Sequence, residues 1–305
     1  MSSPVRVLFN GVRGSTPCAG AAYTRYGGHS SCVALEANGS APILFDLGTG
    51  LRPYGTRWST NGHDPEGGSR NHAGEAFHGT VLLTHLHWDH VQGLPFFTPL
   101  HREGASIDIY GPRQAEGSLD EVFTEMMRPP FFPIKPDQLA ADVRFCGIDE
   151  DDFPIGLAKV RARWVRHVGP TLGFRVDWHG VSVAYIPDHG PGCSPDDPDD
   201  YVPHEMLELC EGVDVLIHDA QFTTEEYGPK RHWGHCTIDY AVHVAREAGA
   251  RKLVLFHHDP AHGDDQLDLL ERVAQDNAAH INAPEVIAAH EGLELVVEPT
   301  APRAR

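Results

Sequence analysis

The feature that most constrains this chain is a cluster of metal-binding residue types at residues 84–90, which read Thr-His-Leu-His-Trp-Asp-His. The cluster follows directly on a short apolar run that predicts a buried strand. Side chains two apart in an extended segment share a face, so His85 and His87 can bind one ion. Asp89 and His90 follow where the chain is expected to turn towards a helix, and they can point to a second ion.

One loop cannot complete two coordination spheres, so the fold has to bring further ligands from other strand ends. Three candidates each follow an apolar run: His167, Asp188 and His257. Each is weak evidence alone, because a single His or Asp after a strand is common, but together they repeat one geometry. Imidazole and carboxylate ligands suit zinc, with manganese or iron as alternatives. We therefore expect bound divalent metal ions, zinc being favoured.

Short apolar runs, bounded by Gly, Asp or His and rich in β-branched residues, predict strands. They lie at residues 5–9, 41–45, 81–83, 107–110, 181–186, 213–217 and 253–256. Helical spacing predicts helices at 118–127, 237–248 and 264–275, with Ser118 as the cap of the first. Since no linker or change of composition divides the chain, residues 1–305 are interpreted as a single domain.

Two segments are predicted to be irregular. Residues 59–79, rich in Gly, Asn and His, predict an exposed loop. Residues 128–136, with Phe131 and Phe132 between prolines, predict a rigid apolar elbow. The elbow could line a pocket or a subunit interface, or it could fill the core.

Cysteine spacing and hydropathy favour a cytoplasmic protein. The six cysteines form no Cys-x-x-Cys pair, which predicts reduced thiols rather than a disulfide framework. The opening residues show no signal-peptide pattern, and no apolar run approaches the roughly 20 residues needed to span a bilayer. We expect no association with a membrane.

The charge balance limits the class of partner. The chain has 24 basic and 43 acidic side chains, a formal charge of −19. That sign disfavours a long nucleic acid, which proteins hold by neutralising phosphates with Lys and Arg. A small anionic substrate remains compatible, because the charge of a bound metal dominates locally.

With His85, His87, Asp89 and His90 the chain resembles the metallo-β-lactamase superfamily, whose signature is His-x-His-x-Asp-His. The resemblance covers nearly the whole chain, including the stretches 11–15, 45–50 and 255–257. It implies an α/β fold of four layers, the αββα sandwich, with the site at the strand ends between two similar halves.

The resemblance also implies how the ligands divide between two ions. The first ion would be held by His85, His87 and His167, the second by Asp89, His90 and His257, and Asp188 would bridge them. His258 is the alternative to His257 as a ligand of the second ion. His257 is preferred because it follows the strand immediately. Two divalent ions about 3.5 to 4 Å apart can share a water and lower its pKa towards 7, which predicts hydrolysis. Oxidoreduction, found in di-iron members, is less favoured because the opening of this motif is all histidine.

The segment 230–237 resembles the Gly-His-Ser-Thr stretch of ribonuclease Z and related phosphodiesterases, with Cys236 in place of Ser. It implies that His235 donates a proton to the leaving oxygen; the alternative is a helix-capping or structural histidine. Asp89 is assigned a catalytic role in addition to its ligand role. His218 and Asp219 are expected either to orient His235 or a metal ligand, or to make structural hydrogen bonds.

The favoured substrate is a small phosphodiester such as a cyclic nucleotide or a cyclic phosphate. Residues 26–31, which include two glycines, His29 and two serines, offer donors that could hold a phosphate oxygen. The alternatives are a lactone, ester or thioester hydrolase on the same metals, RNA processing like that of ribonuclease Z, and a non-catalytic partner protein. The only ground for expecting this protein to form a homodimer is its resemblance to the phosphodiesterase relatives.

Overall fold

A computed structural model describes residues 3–59, 75–192 and 201–299. Most of the predicted loop 59–79 and Cys193 lie outside the described residues. The described strands are β1 Val5–Gly11, β2 Cys32–Ala37, β3 Ile43–Phe45, β4 His78–Leu82, β5 Ser106–Pro112, β6 Asp142–Ile148, β7 Asp151–Ile155, β8 Ala158–Trp164, β9 Leu172–Trp178, β10 Val181–Ile186, β11 Val215–Asp219, β12 Lys252–Phe256, β13 Glu285–Ala288 and β14 Glu294–Val297. The described α-helices are α1 Leu51–Ser59, α2 Trp88–Val91, α3 Leu119–Met126, α4 His204–Cys210, α5 Thr224–Lys230, α6 Ile238–Glu247 and α7 Asp264–His280.

The strands form two seven-stranded mixed sheets, ordered β14-β1-β2-β3-β4-β5-β6 and β13-β12-β11-β10-β9-β8-β7. In the first sheet β3 to β6 run parallel, and in the second β10 to β13 run parallel. The carboxyl ends of neighbouring parallel strands meet at one edge of a sheet, so each sheet gathers the residues that follow its strands.

The alternation of side chains along β10 shows how the layers form. Val183 and Tyr185 point into the core between the two sheets, where Tyr185 stacks on Phe45 with ring centroids 4.6 Å apart. Ala184 and Ile186 point to the opposite face and join the core under helices α4, α6 and α7. Apolar residues on both faces are what a sheet covered on both sides requires. Helices α1 and α3 cover the outer face of the first sheet in the same way, which completes four layers.

Each of the predicted strands and helices is present, with bounds shifted by a few residues. Ser118 caps α3 by accepting a hydrogen bond from the backbone of Glu121. The predicted helix at 264–275 continues to His280. Strands such as β6 and β7 were not predicted, because their exposed and half-buried positions carry little apolar contrast.

Three smaller predictions can be compared with the described residues. The five cysteines among them are free thiols, as predicted. Phe131 is 76% exposed, so core filling is the wrong interpretation for that part of the elbow. Among the described residues, no helix has the length and apolar character needed to cross a bilayer.

Candidate metal centre

A first group of four potential ligands meets between the two sheets. His85 and His87 come from the loop after β4, His167 from the connection between β8 and β9, and Asp188 from the end of β10. Nδ1 of His87 lies 3.2 Å from Nε2 of His167. Oδ2 of Asp188 lies 3.7 Å from Nε2 of His85 and 3.6 Å from Nε2 of His167. Four residues from three segments of the chain therefore converge on one point.

A second group shares Asp188 with the first. Asp89 and His90 come from α2, and His257 follows β12. Oδ1 of Asp188 lies 3.1 Å from Nε2 of His90 and 3.3 Å from Nε2 of His257. Oδ2 of Asp89 lies 3.2 Å and 3.1 Å from the same two nitrogens. Asp188 thus presents one carboxylate oxygen to each group.

These spacings fit metal ions. Zinc with nitrogen and oxygen ligands at roughly 2.0–2.2 Å in a tetrahedron separates neighbouring ligand atoms by about 3.3–3.6 Å. In addition, Nε2 of His85 is buried and lacks a hydrogen-bond partner, although buried polar atoms are normally paired. Both observations are explained if divalent cations occupy the two groups.

The pKa shifts of the first group's histidines and of the two aspartates suit metal binding, which requires neutral imidazole and ionised carboxylate. Burial lowers the pKa of His85 well below its ordinary value, and burial likewise lowers the pKa of His87 and of His167. Burial alone would raise the pKa of Asp188, but nearby histidines, His257 foremost, hold it well below its usual range. Asp89 follows the same rule, its pKa being lowered chiefly by His90 against the effect of burial. At His90 burial alone would lower the pKa, but nearby carboxylates, Asp89 foremost, raise it well above the ordinary value, so a bound cation would displace its proton.

Four of the histidines have the ring nitrogen remote from the cluster fixed by a hydrogen bond. Such bonds set the tautomer and the ring orientation of a metal-binding histidine. The pairs are His85 with Oγ1 of Thr84 at 3.0 Å, His90 with Oδ2 of Asp46 at 2.8 Å, His167 with the carbonyl of Gly234 at 2.7 Å, and His257 with Oε1 of Gln221 at 2.9 Å. The sequence does not point to Asp46 or Gln221 as partners, because they lie 44 and 36 positions from the histidines they orient. Thr84 is the direct neighbour of His85, but residue type alone does not show that its hydroxyl contacts the ring.

The structure brings His257, and not its neighbour His258, to the metal centre. His257 adopts a left-handed backbone conformation, with φ of 60°, directly after β12. His258 points away, and its Nε2 donates to the carbonyl of Ala289 at 2.8 Å. Burial lowers the pKa of His258 to about 3, so it is a neutral, structural histidine.

His235 lies beside the metal centre, three residues before the start of α6. Its Nδ1 is 2.7 Å from Oδ2 of Asp219 and 3.8 Å from Oδ2 of Asp188, and its ring stacks on His257 at 4.9 Å. Burial alone would lower the pKa of His235, but the carboxylate of Asp219 raises it above the ordinary value. Asp219 therefore orients His235, whereas His218 bonds through Nδ1 to the carbonyl of Asp219.

The expectation that residues 26–31 hold a phosphate is wrong for two of their backbone donors. The N–H of His29 donates to Oε1 of Glu291 at 2.6 Å, and that of Ser30 donates to Oγ1 of Thr49 at 2.8 Å. Donors that already bond to acceptors within the protein are not available to a ligand.

Comparison with known proteins identifies the family. Residues 70–258, more than half of the chain, match the family described as the beta-lactamase superfamily domain. The chain belongs to this superfamily. The family match, the relatives named ribonuclease Z and the two ligand groups together make the chain a metal-dependent hydrolase that uses divalent ions.

Relatives of this superfamily member extend over nearly its whole length. Ribonuclease Z of Haloarcula marismortui is 25% identical over 96% of this chain and 97% of its own, and ribonuclease Z of Haloferax volcanii is 25% identical over 96% and 95%. The predicted resemblance to the ribonuclease Z branch is thus confirmed.

Solved structures confirm the predicted αββα fold. The metallo-beta-lactamase fold protein YhfI of Bacillus subtilis superposes with a TM-score of 0.67 at 18% identity, over 96% of this chain and 99% of that one. The short form of human tRNase Z superposes with a TM-score of 0.64 at 22% identity, again over 96% and 99%. At such identities the likeness concerns the fold alone.

Proposed function

We propose that this superfamily member hydrolyses a small phosphodiester, such as a cyclic nucleotide or a cyclic phosphate. The observation that carries the proposal is His235, which is held by Asp219 and stacked on His257. An alkoxide leaving group needs a proton donor, whereas a good leaving group does not. Because Nδ1 of His235 is committed to Asp219, Nε2 is the nitrogen that would deliver the proton.

In this proposal the ligands divide as their positions suggest. His85, His87 and His167 would hold one ion, Asp89, His90 and His257 would hold the other, and Asp188 would contribute an oxygen to each. Zinc suits this ligand set best. Ions bound there supply an activated water and neutralise the charge that develops on phosphorus.

Asp89 would combine its ligand role with a catalytic one. Its Oδ2 is committed to the second group, where it lies 3.1 Å from Nε2 of His257. Its Oδ1 would accept a hydrogen bond and orient a water molecule for attack. The low pKa of Asp89 keeps this oxygen available as an acceptor near neutral pH.

A second candidate is RNA processing, which is favoured by the relatives named ribonuclease Z. The same metal centre and proton donor would serve a phosphodiester within RNA. The formal charge of −19 favours the small substrate instead, since a long polyanion is usually bound by clustered Lys and Arg. The two candidates differ in the size of the substrate and not in the bond that is broken.

A substrate panel tests the proposal. Purified protein loaded with zinc or manganese should hydrolyse bis-p-nitrophenyl phosphate and a cyclic nucleotide, and the chelated protein should not. Cleavage of precursor transfer RNA without activity on cyclic nucleotides would support the second candidate. Activity confined to lactones or thioesters would contradict both.

A further inference from the structure

Four residues around the second ligand group form a closed ring of contacts. The side chain of Gln221 accepts a hydrogen bond from Nδ1 of His257 at 2.9 Å and donates from Nε2 to Oγ of Ser15 at 3.2 Å. The backbone N–H of Ser15 donates to Oδ2 of Asp89 at 2.7 Å. The same oxygen lies 3.1 Å from Nε2 of His257, which closes the ring.

The two non-ligand members of the ring differ in burial, since Gln221 is buried and Ser15 is exposed. Gln221 is 1% exposed, and its own N–H donates to Oδ1 of Asp219 at 3.0 Å. Ser15 has a φ of 60°, a left-handed conformation that costs free energy unless the surroundings hold it in place. Next to it, a Cβ on Gly14 would lie 2.3 Å from Nδ1 of His257, so this loop is in close contact with the histidine.

We propose that Gln221 and Ser15 are positioning residues that set the affinity of the second ligand group for its ion without touching that ion. The amide oxygen of Gln221 accepts the Nδ1 proton of His257, which leaves the lone pair of Nε2 for the metal. Ser15 fixes the carboxylate of Asp89 in the same way. Gln221 thereby connects two ligands that come from opposite sheets.

The effect should be confined to one ion. Within the described residues, the hydrogen bonds of Gln221 and Ser15 go to His257, to Asp89, to Asp219 and to each other. Two of the three histidines of the first group, His85 and His167, are oriented by Thr84 and by the carbonyl of Gly234 instead. The inference concerns the metal centre alone and is independent of which phosphodiester, if any, the enzyme hydrolyses.

Calorimetric titration of the chelated protein with Zn²⁺ tests this inference. The wild type should bind two equivalents. In Gln221→Leu the affinity of the first ligand group for Zn²⁺ should stay within about twofold of the wild type. The affinity of the second group should fall about 10- to 100-fold, the usual effect of removing the partner of a metal-binding histidine. Gln221→Glu keeps an oxygen that accepts from His257 and should restore most of the second affinity.

Two further variants sharpen the comparison. Gln114→Leu is the matched control, because Gln114 bonds to the carbonyl of Pro112 far from the ring in sequence, and both affinities should be unchanged. Ser15→Ala keeps the backbone donor to Asp89 but removes the acceptor for Gln221, so it should weaken the second affinity by a few-fold only. Circular dichroism of each chelated variant establishes that it is folded.

Several results would overturn the inference. The first is a wild type that binds only one equivalent of Zn²⁺. The second is a folded Gln221→Leu protein in which both Zn²⁺ affinities are unchanged or both are weakened equally. The third is a Gln221→Glu protein whose second Zn²⁺ affinity is as low as that of Gln221→Leu. If Gln221→Leu does not fold, Ser15→Ala decides the matter: an unchanged second affinity in that variant contradicts the proposal, and a selective loss supports it.

Discussion

Tyr185 donates its hydroxyl hydrogen to Oδ2 of Asp46 at 2.9 Å, from the second sheet across to the first. Asp46 also accepts hydrogen bonds from the backbone and the hydroxyl of Thr84. The same carboxylate holds Nδ1 of His90 at 2.8 Å. A contact between the two sheets is thereby connected directly to a metal ligand, so packing of the sheets and geometry of the metal centre depend on each other.

The first prediction concerns this contact. Tyr185→Phe keeps the ring that stacks on Phe45 but leaves the buried carboxylate of Asp46 with one donor fewer. Hydrogen bonds to charged groups contribute about 1.5–3 kcal/mol, so the free energy of unfolding should fall by about that amount. Urea denaturation measures it. Tyr110→Phe, at a half-buried ring stacked on Phe153, is the control and should lower the free energy of unfolding by less. Equal losses in the two variants would contradict the role given to Asp46.

The second prediction concerns the shared carboxylate. Asp188→Ala removes one oxygen from each ligand group, so the bound metal should fall below two equivalents and hydrolysis should be lost. Elemental analysis and a phosphodiester assay on the same preparation measure both quantities. Asp142→Ala, at an exposed position on β6, is the control and should leave both unchanged. An Asp188→Ala protein that still binds two equivalents of metal would refute the position of Asp188 between the two ligand groups.

The third prediction tests proton donation by His235. His235→Ala should slow hydrolysis of a cyclic nucleotide by about 10²–10⁴-fold, the usual contribution of a general acid, and should slow bis-p-nitrophenyl phosphate much less. Asp219→Asn should also slow the cyclic nucleotide more than bis-p-nitrophenyl phosphate, but by a smaller factor. The reason is that this variant only weakens the interaction that raises the pKa of His235 and orients its ring. His232→Ala, at an exposed neighbour, serves as the control. A uniform loss on both substrates would argue for a structural role.

The fourth prediction concerns pH. Oδ2 and Oδ1 of Asp264 accept the backbone N–H groups of Arg25 and Tyr26, which lower the pKa of Asp264 although burial alone would raise it. A carboxyl whose pKa is lower in the folded protein than in the unfolded chain, about 3.9, binds fewer protons when folded. Its stabilisation is therefore complete above about pH 4 and is lost as the pH falls further.

Asp264→Ala tests that linkage. The variant should have a free energy of unfolding lower by about 1–3 kcal/mol at pH 7, since the backbone N–H groups of Arg25 and Tyr26 lose their acceptor. The difference from the wild type should narrow below about pH 4, as the wild-type carboxyl becomes protonated. Denaturation midpoints measured between pH 7 and pH 3 check it. A difference that stays constant over this range would show that ionisation of Asp264 is irrelevant.

Prediction from sequence succeeded where a feature is local. The strands 181–186 and 253–256 are almost entirely apolar, because helices cover one face and the opposite sheet covers the other. The strands β6 and β7 are not found by a search for continuous apolar runs, because exposed charged residues interrupt their apolar positions. The choice of His257 over His258 depended on a strand end, and the structure places His257 at the cluster.

The sequence by itself determined the kinds of ligand and the strand ends on which they stand, because residue type and periodicity are local properties. Tertiary structure alone decided which oxygen of Asp188 faces which group, and that Asp46, Gln221 and Ser15 orient His90, His257 and Asp89. Those contacts join residues from 21 to 98 positions apart. Such contacts arise only when the fold brings the ends of different strands together, and no pattern within one segment of the chain encodes them.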